Sequence, residues 1–155
     1  MNRPFKFRGK DIHTGEWLYG DLVHSSDGRR TAILVNDRDS YDECEVQPRS
    51  VGQFTGHKDC NGHEIYEDDI VFILVRSHLA CIHWDHVFSN FIIDWGSACT
   101  SLSIAMAGNL TIVGNEHDMQ EEKPRARLSL SDWIESLSSM ETANRLAILK
   151  NSNQS

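Results

Sequence analysis

The 155-residue sequence lacks any apolar run near the roughly 18–20 residues that a membrane-crossing helix needs, so no such helix is expected. Its first residues, Met1-Asn2-Arg3-Pro4-Phe5-Lys6-Phe7-Arg8, begin basic but lack the apolar stretch that follows in a secretory signal. A cytosolic protein is therefore expected. Cysteine is sparse: Cys44, Cys60, Cys81 and Cys99 are irregularly spaced, and a chain of this length folds without covalent staples. They are read as reduced, buried thiols. Positive charge is scarce where it would matter for nucleic acid. Between residues 39 and 122, three Lys/Arg face fifteen Asp/Glu, within a chain of net charge −8. Binding along a phosphate backbone needs clustered cations, so nucleic acid is not an expected partner. The basic residues Arg3, Lys6, Arg8 and Lys10 form a local strip, read as the solvated face of a first strand.

Catalytic signatures are missing too. No Gly-x-Ser-x-Gly or cysteine-protease pattern accompanies the neighbours His83 and Asp85, and no acid pair for glycoside or phosphodiester chemistry stands out. No glycine pair has the strand–helix context of a phosphate-cradling loop. Hence no catalytic residue and no cofactor are assigned, and an enzyme is not expected.

What the sequence does contain is a succession of short strands. Phe5-Lys6-Phe7-Arg8 alternates apolar and basic residues, and Trp17 to Val23 follows after turn chemistry at Asp11 to Glu16. Further strands are predicted at Thr31–Val35, Val46–Phe54 (interrupted by Pro48 and Gly52), Ile70–Val75, Ala80–Asp85, Phe91–Trp95 and Leu110–Gly114. Asn61-Gly62 marks a tight hairpin turn, since both central residues of such a turn need positive φ. Residues 36–45 are polar and acidic with little periodicity and are predicted to be a loop. The roughly ten-residue spacing of these strands indicates a small barrel or sandwich. After residue 122, Asp132 with Glu135 and Ser138 with Glu141 resemble capping boxes, and Trp133, Ile134, Leu137, Ala143, Leu146 and Leu149 recur at helical spacing. One or two short helices are predicted there, docked on the β part or mediating self-association.

Several of these segments form a known pattern: Phe7-Arg8-Gly9-Lys10, Gly15 to Leu22, Val51 to Gly56, Asp59 to Gly62, Ile65 to Val71 and Val113-Gly114-Asn115. In this order they resemble the YopX protein family of bacteriophages and prophages, from residue 4 to about 118. The resemblance implies a mainly β fold of two small β subdomains, the second an SH3-like barrel, with a tendency to oligomerise. On that basis the chain divides into an N-terminal β subdomain (1–56), an SH3-like barrel (57–122) and a helical extension (123–155). The resemblance carries no reaction with it. It implies an accessory protein of the bacterial cytosol that acts by binding a host or phage protein or a second copy of itself. Where the family usually reads Tyr-Glu-Gly-Asp, this chain has Tyr66-Glu67-Asp68-Asp69. Asp tolerates left-handed backbone better than most residues, so the turn is expected to survive.

Candidate binding residues follow from side-chain chemistry. Gln53 and Thr55, in the Gly52–Gly56 segment, can offer an amide and a hydroxyl to a ligand; alternatively they satisfy local backbone in a bulged strand end. Arg8 supplies a cation and Trp17 and Trp84 supply large aromatics, Trp84 being the favoured recognition residue because the polar pair Asp85-His86 follows it. Asp69 is a candidate that can equally hold its own turn through N–H groups. Two His/Cys groups, His57-x-x-Cys60-x-x-His63 and Cys81-x-His83-x-x-His86, contain zinc-compatible donors. Their spacings match no standard finger, so no metal site is assigned, although alternation puts Cys81 and His83 on one face of a strand. A small ligand such as a nucleotide, held near the Gln53–Thr55 segment and the N-terminal cations, is the alternative to a protein partner.

Overall fold

The computed structural model describes residues 4–37 and 40–121, and the helices predicted beyond residue 122 lie outside this range. Strand β1 (Phe7–Lys10) pairs antiparallel with β2 (Trp17–His24), and β2 pairs with β3 (Thr31–Asp37). The Asp11 carboxylate closes the first turn by accepting from the amides of His13 and Thr14. Strand β3 continues into β4 (Ser40–Glu45), in register from Ala32 opposite Glu45 to Asp37 opposite Ser40. The polar segment predicted as a loop is therefore half of a hairpin. The expectation fails because β4 is the edge of its sheet and most of its side chains are exposed, so no apolar alternation is required.

After a 3₁₀ turn at Pro48–Ser50, β5 (Gly52–Lys58) returns along the other side of β1 and carries β6 (Glu64–Tyr66). The six strands lie in the order β4-β3-β2-β1-β5-β6. Residue 56 thus falls inside β5, and the sheet extends to Tyr66. A turn does join β5 and β6 at Asn61-Gly62, but only Gly62, at φ 86°, has the positive φ expected of both residues; the turn spans Asp59 to Gly62, closed by the Gly62 amide on the Asp59 carbonyl. Gly52 serves a different need, because a Cβ there would sit 2.8 Å from the carbonyl oxygen of Glu67.

The second sheet contains β7 (Asp69–Ile73), β8 (His78–Asp85), β9 (Asn90–Asp94), β10 (Cys99–Ser101) and β11 (Leu110–Asn115), in the order β10-β9-β8-β7-β11. A short helix α1 (Ile104–Ala107), capped by the Ser103 hydroxyl, leads into β11, and α2 (Glu116–Glu121) follows it. Both sheets are antiparallel throughout, and the fold is mainly β. The second sheet does not close: β10 and β11 stand at opposite edges with no ladder joining them, so the expected closed barrel is not formed among the described residues.

One face of this sheet makes the main core, with Val71 and Ile73 of β7, Ala80 and Ile82 of β8, Phe91 and Ile93 of β9, and Ala107 and Leu110. Ile65 of β6 is fully buried in the same cluster, so a residue of the first sheet completes the core of the second. Burying a side chain of this size contributes about 1.5–3 kcal/mol. The two sheets share their apolar interior.

Candidate functional site

Where the sheets meet, the β6–β7 connection gathers the chain's ionisable groups. Asp69 begins β7 and its Oδ2 accepts from the Tyr66 amide at 2.8 Å, which fixes the tight turn through Glu67 and Asp68. Its Oδ1 faces Arg8 Nη2 at 2.6 Å, an ion-pair contact whose alignment falls short of a hydrogen bond, and Arg8 Nε has no hydrogen-bond partner among the described residues. The same Nη2 donates to the carbonyl of Glu67, 2.9 Å away. Arg8 also lies between two aromatic rings, its Cζ 4.7 Å from the centroid of Trp17 and 5.0 Å from that of Tyr66. Burial drives the Asp69 carboxyl above its ordinary pKa, and the Arg8 charge opposes that rise.

Asp68 has the left-handed conformation expected for it, with φ 64°. Its carboxylate bridges two histidines, Oδ2 lying 3.0 Å from His117 Nε2 and Oδ1 3.5 Å from His83 Nδ1. Burial raises its pKa, but the bonds from His117 and His83 outweigh burial and hold it well below the usual carboxylate range. Reciprocally, the bond from Asp68 raises the pKa of His83. A bulge brings His117 into place. Ile112 pairs with Val71 and Gly114 with Ile70, which leaves Val113 extra and turns Asn115 toward the β6–β7 turn. Asn115 Nδ2 donates to the Asp68 carbonyl at 2.8 Å, and its Oδ1 receives the His117 amide at 2.9 Å. On the adjacent strand Cys81 is buried, and its donor atom lies with those of His83 and Glu116 within a mutual 4.8 Å.

Helix α2 is tied back to the first sheet by Asp118, whose Oδ1 receives Trp17 Nε1 and Lys10 Nζ, both at 2.9 Å. A second fastening is Asp59. Its Oδ1 accepts from the amides of Asn61 and His63, and its Oδ2 from the amide of Ile112 in β11.

Of the residues singled out from sequence, Arg8, Trp17 and Asp69 thus converge, and they do so on one another. Gln53 lies next to them on β5, opposite Phe7, whereas Thr55 and Trp84 do not join them. Thr55 and Trp84 line a cleft of about 350 Å³ together with His57, Asn90, Phe91 and Leu102. The Thr55 hydroxyl is already engaged, donating to the Ile65 carbonyl and accepting from the His57 amide. Gln53 contributes its carbonyl to the Glu67 amide. Trp84 packs edge-on against Phe91, with centroids 5.0 Å apart. Sequence reasoning missed the pair beside this cleft, Val87 and Phe88, which are 83% and 77% exposed in the β8–β9 turn. The hydrophobic pair had no partner period to mark it. Among the described residues, neither His86 nor the group His57, Cys60 and His63 joins a metal-compatible cluster of three. Cys60 and Cys99 are exposed rather than buried, because they occupy a turn and a sheet edge.

An open pair of antiparallel sheets, locked by a buried Arg–Asp contact under aromatic rings, defines a β scaffold whose polar residues hold the frame together. Residues 6–121 match the YopX protein family, and the chain belongs to it. No curated protein matches the sequence. No helix among the described residues is long and apolar enough to cross a membrane.

Proposed function

We propose that this protein is a phage or prophage accessory factor of the bacterial cytosol that acts by binding, without catalysis, and that it pairs with a second copy of itself. The reading rests on Val87 and Phe88. Two adjacent large apolar side chains at a hairpin tip cost hydration wherever they are not covered. The cleft lined by Trp84, Phe91 and Leu102 lies beside that tip, and Ser89 and Asn90 of the same turn line it too. A knob and a hole on one hairpin suit a two-fold pairing, in which each tip enters the other copy's cleft. The Asp85 carboxylate accepts from the amides of Val87 and Phe88, which holds the turn that carries both side chains.

The five-stranded sheet supports an SH3-like arrangement for the second unit, because its last strand follows a short helix and returns to pair with its first. Nucleotide sequestration is the less favoured alternative. Of the N-terminal cations that motivated it together with the Gln53–Thr55 segment, Lys6, Arg8 and Lys10 are paired with Glu64, Asp69 and Asp118.

Light scattering coupled to size exclusion tests the pairing. The wild type is expected to elute with the mass of a dimer, and Phe88→Asp is expected to shift it to a folded monomer whose melting temperature, unlike that of the wild type, does not depend on protein concentration. A wild type that stays monomeric at high micromolar concentration removes self-association from the proposal.

A further inference from the structure

The β6–β7 turn, strand β8 and helix α2 bring together a set of donors that holding the frame does not explain. Cys81 and His83 project from the same face of β8, as strand alternation requires. Glu116 opens α2 directly after the Val113 bulge, and its amide is bonded to the Asp68 carbonyl at 3.1 Å. We propose that Cys81, His83 and Glu116 form a binding site for a divalent cation of the zinc class, with Asp68 as the group that orients His83.

The geometry is close to what such an ion needs. Bonds of about 2.0–2.3 Å in a tetrahedron place neighbouring donor atoms about 3.3–3.7 Å apart. The sulfur, nitrogen and oxygen here already lie within 4.8 Å of one another, so modest side-chain rotations complete the set. Thiolate, imidazole and carboxylate together favour zinc over calcium or magnesium, which select oxygen donors. Histidine ligands of metals characteristically rest their other ring nitrogen on a carboxylate. Asp68 Oδ1 stands 3.5 Å from His83 Nδ1, which leaves Nε2 for the ion. The backbone at Asp68 is kept in the left-handed region to place that carboxylate, and the Asn115 bond to its carbonyl holds it there.

Charge balance points the same way. A bound dication takes the thiolate and releases the thiol proton to solvent, and the charges of the two anionic ligands then offset its own. Cys81 is buried while His83 and Glu116 are half-buried, so an ion can enter from the histidine side and keep a fourth position open to water.

Cobalt(II) serves as the spectroscopic probe, added to the full-length, chelator-treated protein. The wild type is expected to develop one equivalent of a thiolate-to-cobalt charge-transfer band, which zinc abolishes. Cys81→Ser is expected to lose the band, whereas Cys60→Ser and Cys99→Ser keep it. Asp68→Asn retains a residue that tolerates the backbone and is expected to weaken cobalt binding about 10–100-fold. No thiolate band in the wild type overturns the proposal, as does a band that survives Cys81→Ser or disappears in Cys60→Ser. Should Cys81→Ser not fold, Glu116→Gln decides: an affinity at least about tenfold weaker supports the site, and an unchanged one overturns it.

Discussion

Arg8→Ala is expected to destabilise the folded chain by about 3–5 kcal/mol, measured by urea denaturation near neutral pH. The side chain is nearly inaccessible, and so is the Asp69 carboxylate it faces. Truncation leaves that carboxylate buried and without its counter-charge, and it removes the bond to the Glu67 carbonyl and the stacking on Trp17 and Tyr66. The pH dependence identifies the cause. The Asp69 pKa is already raised by burial, and loss of Arg8 raises it further. A carboxyl whose folded pKa exceeds its unfolded value takes up a proton on folding, so the deficit of the variant is greatest above that folded pKa. It shrinks as pH falls through the folded pKa toward the ordinary Asp range. Adding Asp69→Asn to Arg8→Ala is expected to recover part of the loss at neutral pH, because the orphaned charge is gone. Equal deficits for the single and double variants at all pH values would show that lost packing, not lost charge pairing, dominates.

Asp59→Ala carries the second large effect, about 3 kcal/mol, from loss of three hydrogen bonds to one charged acceptor. The side chain is fully enclosed and spans two sheets, capping the β5–β6 turn at Asn61 and His63 while holding Ile112 of β11. Burial raises its pKa, but the amides of Ile112, His63 and Asn61 together lower it below the ordinary value. For a depressed carboxyl the stabilisation is present above the unfolded pKa of about 3.9 and is lost as pH falls through the folded value. The gap between wild type and Asp59→Ala should therefore be constant from neutral pH to about pH 5 and narrow below pH 4. A gap independent of pH would assign the effect to turn geometry alone.

These two residues also mark what could be read in advance. Trp17 to Val23 and Ile70 to Ile73 lie in strands as expected, and Ile70, Val71 and Ile73 are buried; Leu74 and Val75, expected to continue the second strand, instead stand exposed in the β7–β8 turn, where no core meets them. The same logic missed β4, whose faces are mostly wet, and β6, where three residues are too few to show a period. The turn role of Asp69 was legible, since Asp before a strand offers its carboxylate to nearby amides, and so was the left-handed Asp68. The choice of Arg8 as partner was not. It depends on β5 lying between β1 and β6, a long-range pairing without a local signal. Cys81 and His83 could be put on one face by alternation alone. Glu116 joins them only through the β7–β11 ladder and its bulge, and His117 reaches Asp68 by the same route. Thr55 was a candidate by chemistry, yet its hydroxyl serves local backbone, whereas the bond from Gln53 to Glu67 is made by the main-chain carbonyl and not by the side-chain amide that made it a candidate.

The proposed pairing sets the exposed Val87 and Phe88 of this frame against a second copy. Amide hydrogen exchange at low and high protein concentration reads this most directly. Slower exchange at high concentration is expected in the residues of the β8–β9 turn and in β5 around Thr55 to His57, which share the cleft. Exchange that is independent of concentration there, or slowed only on the β4 edge, contradicts the account.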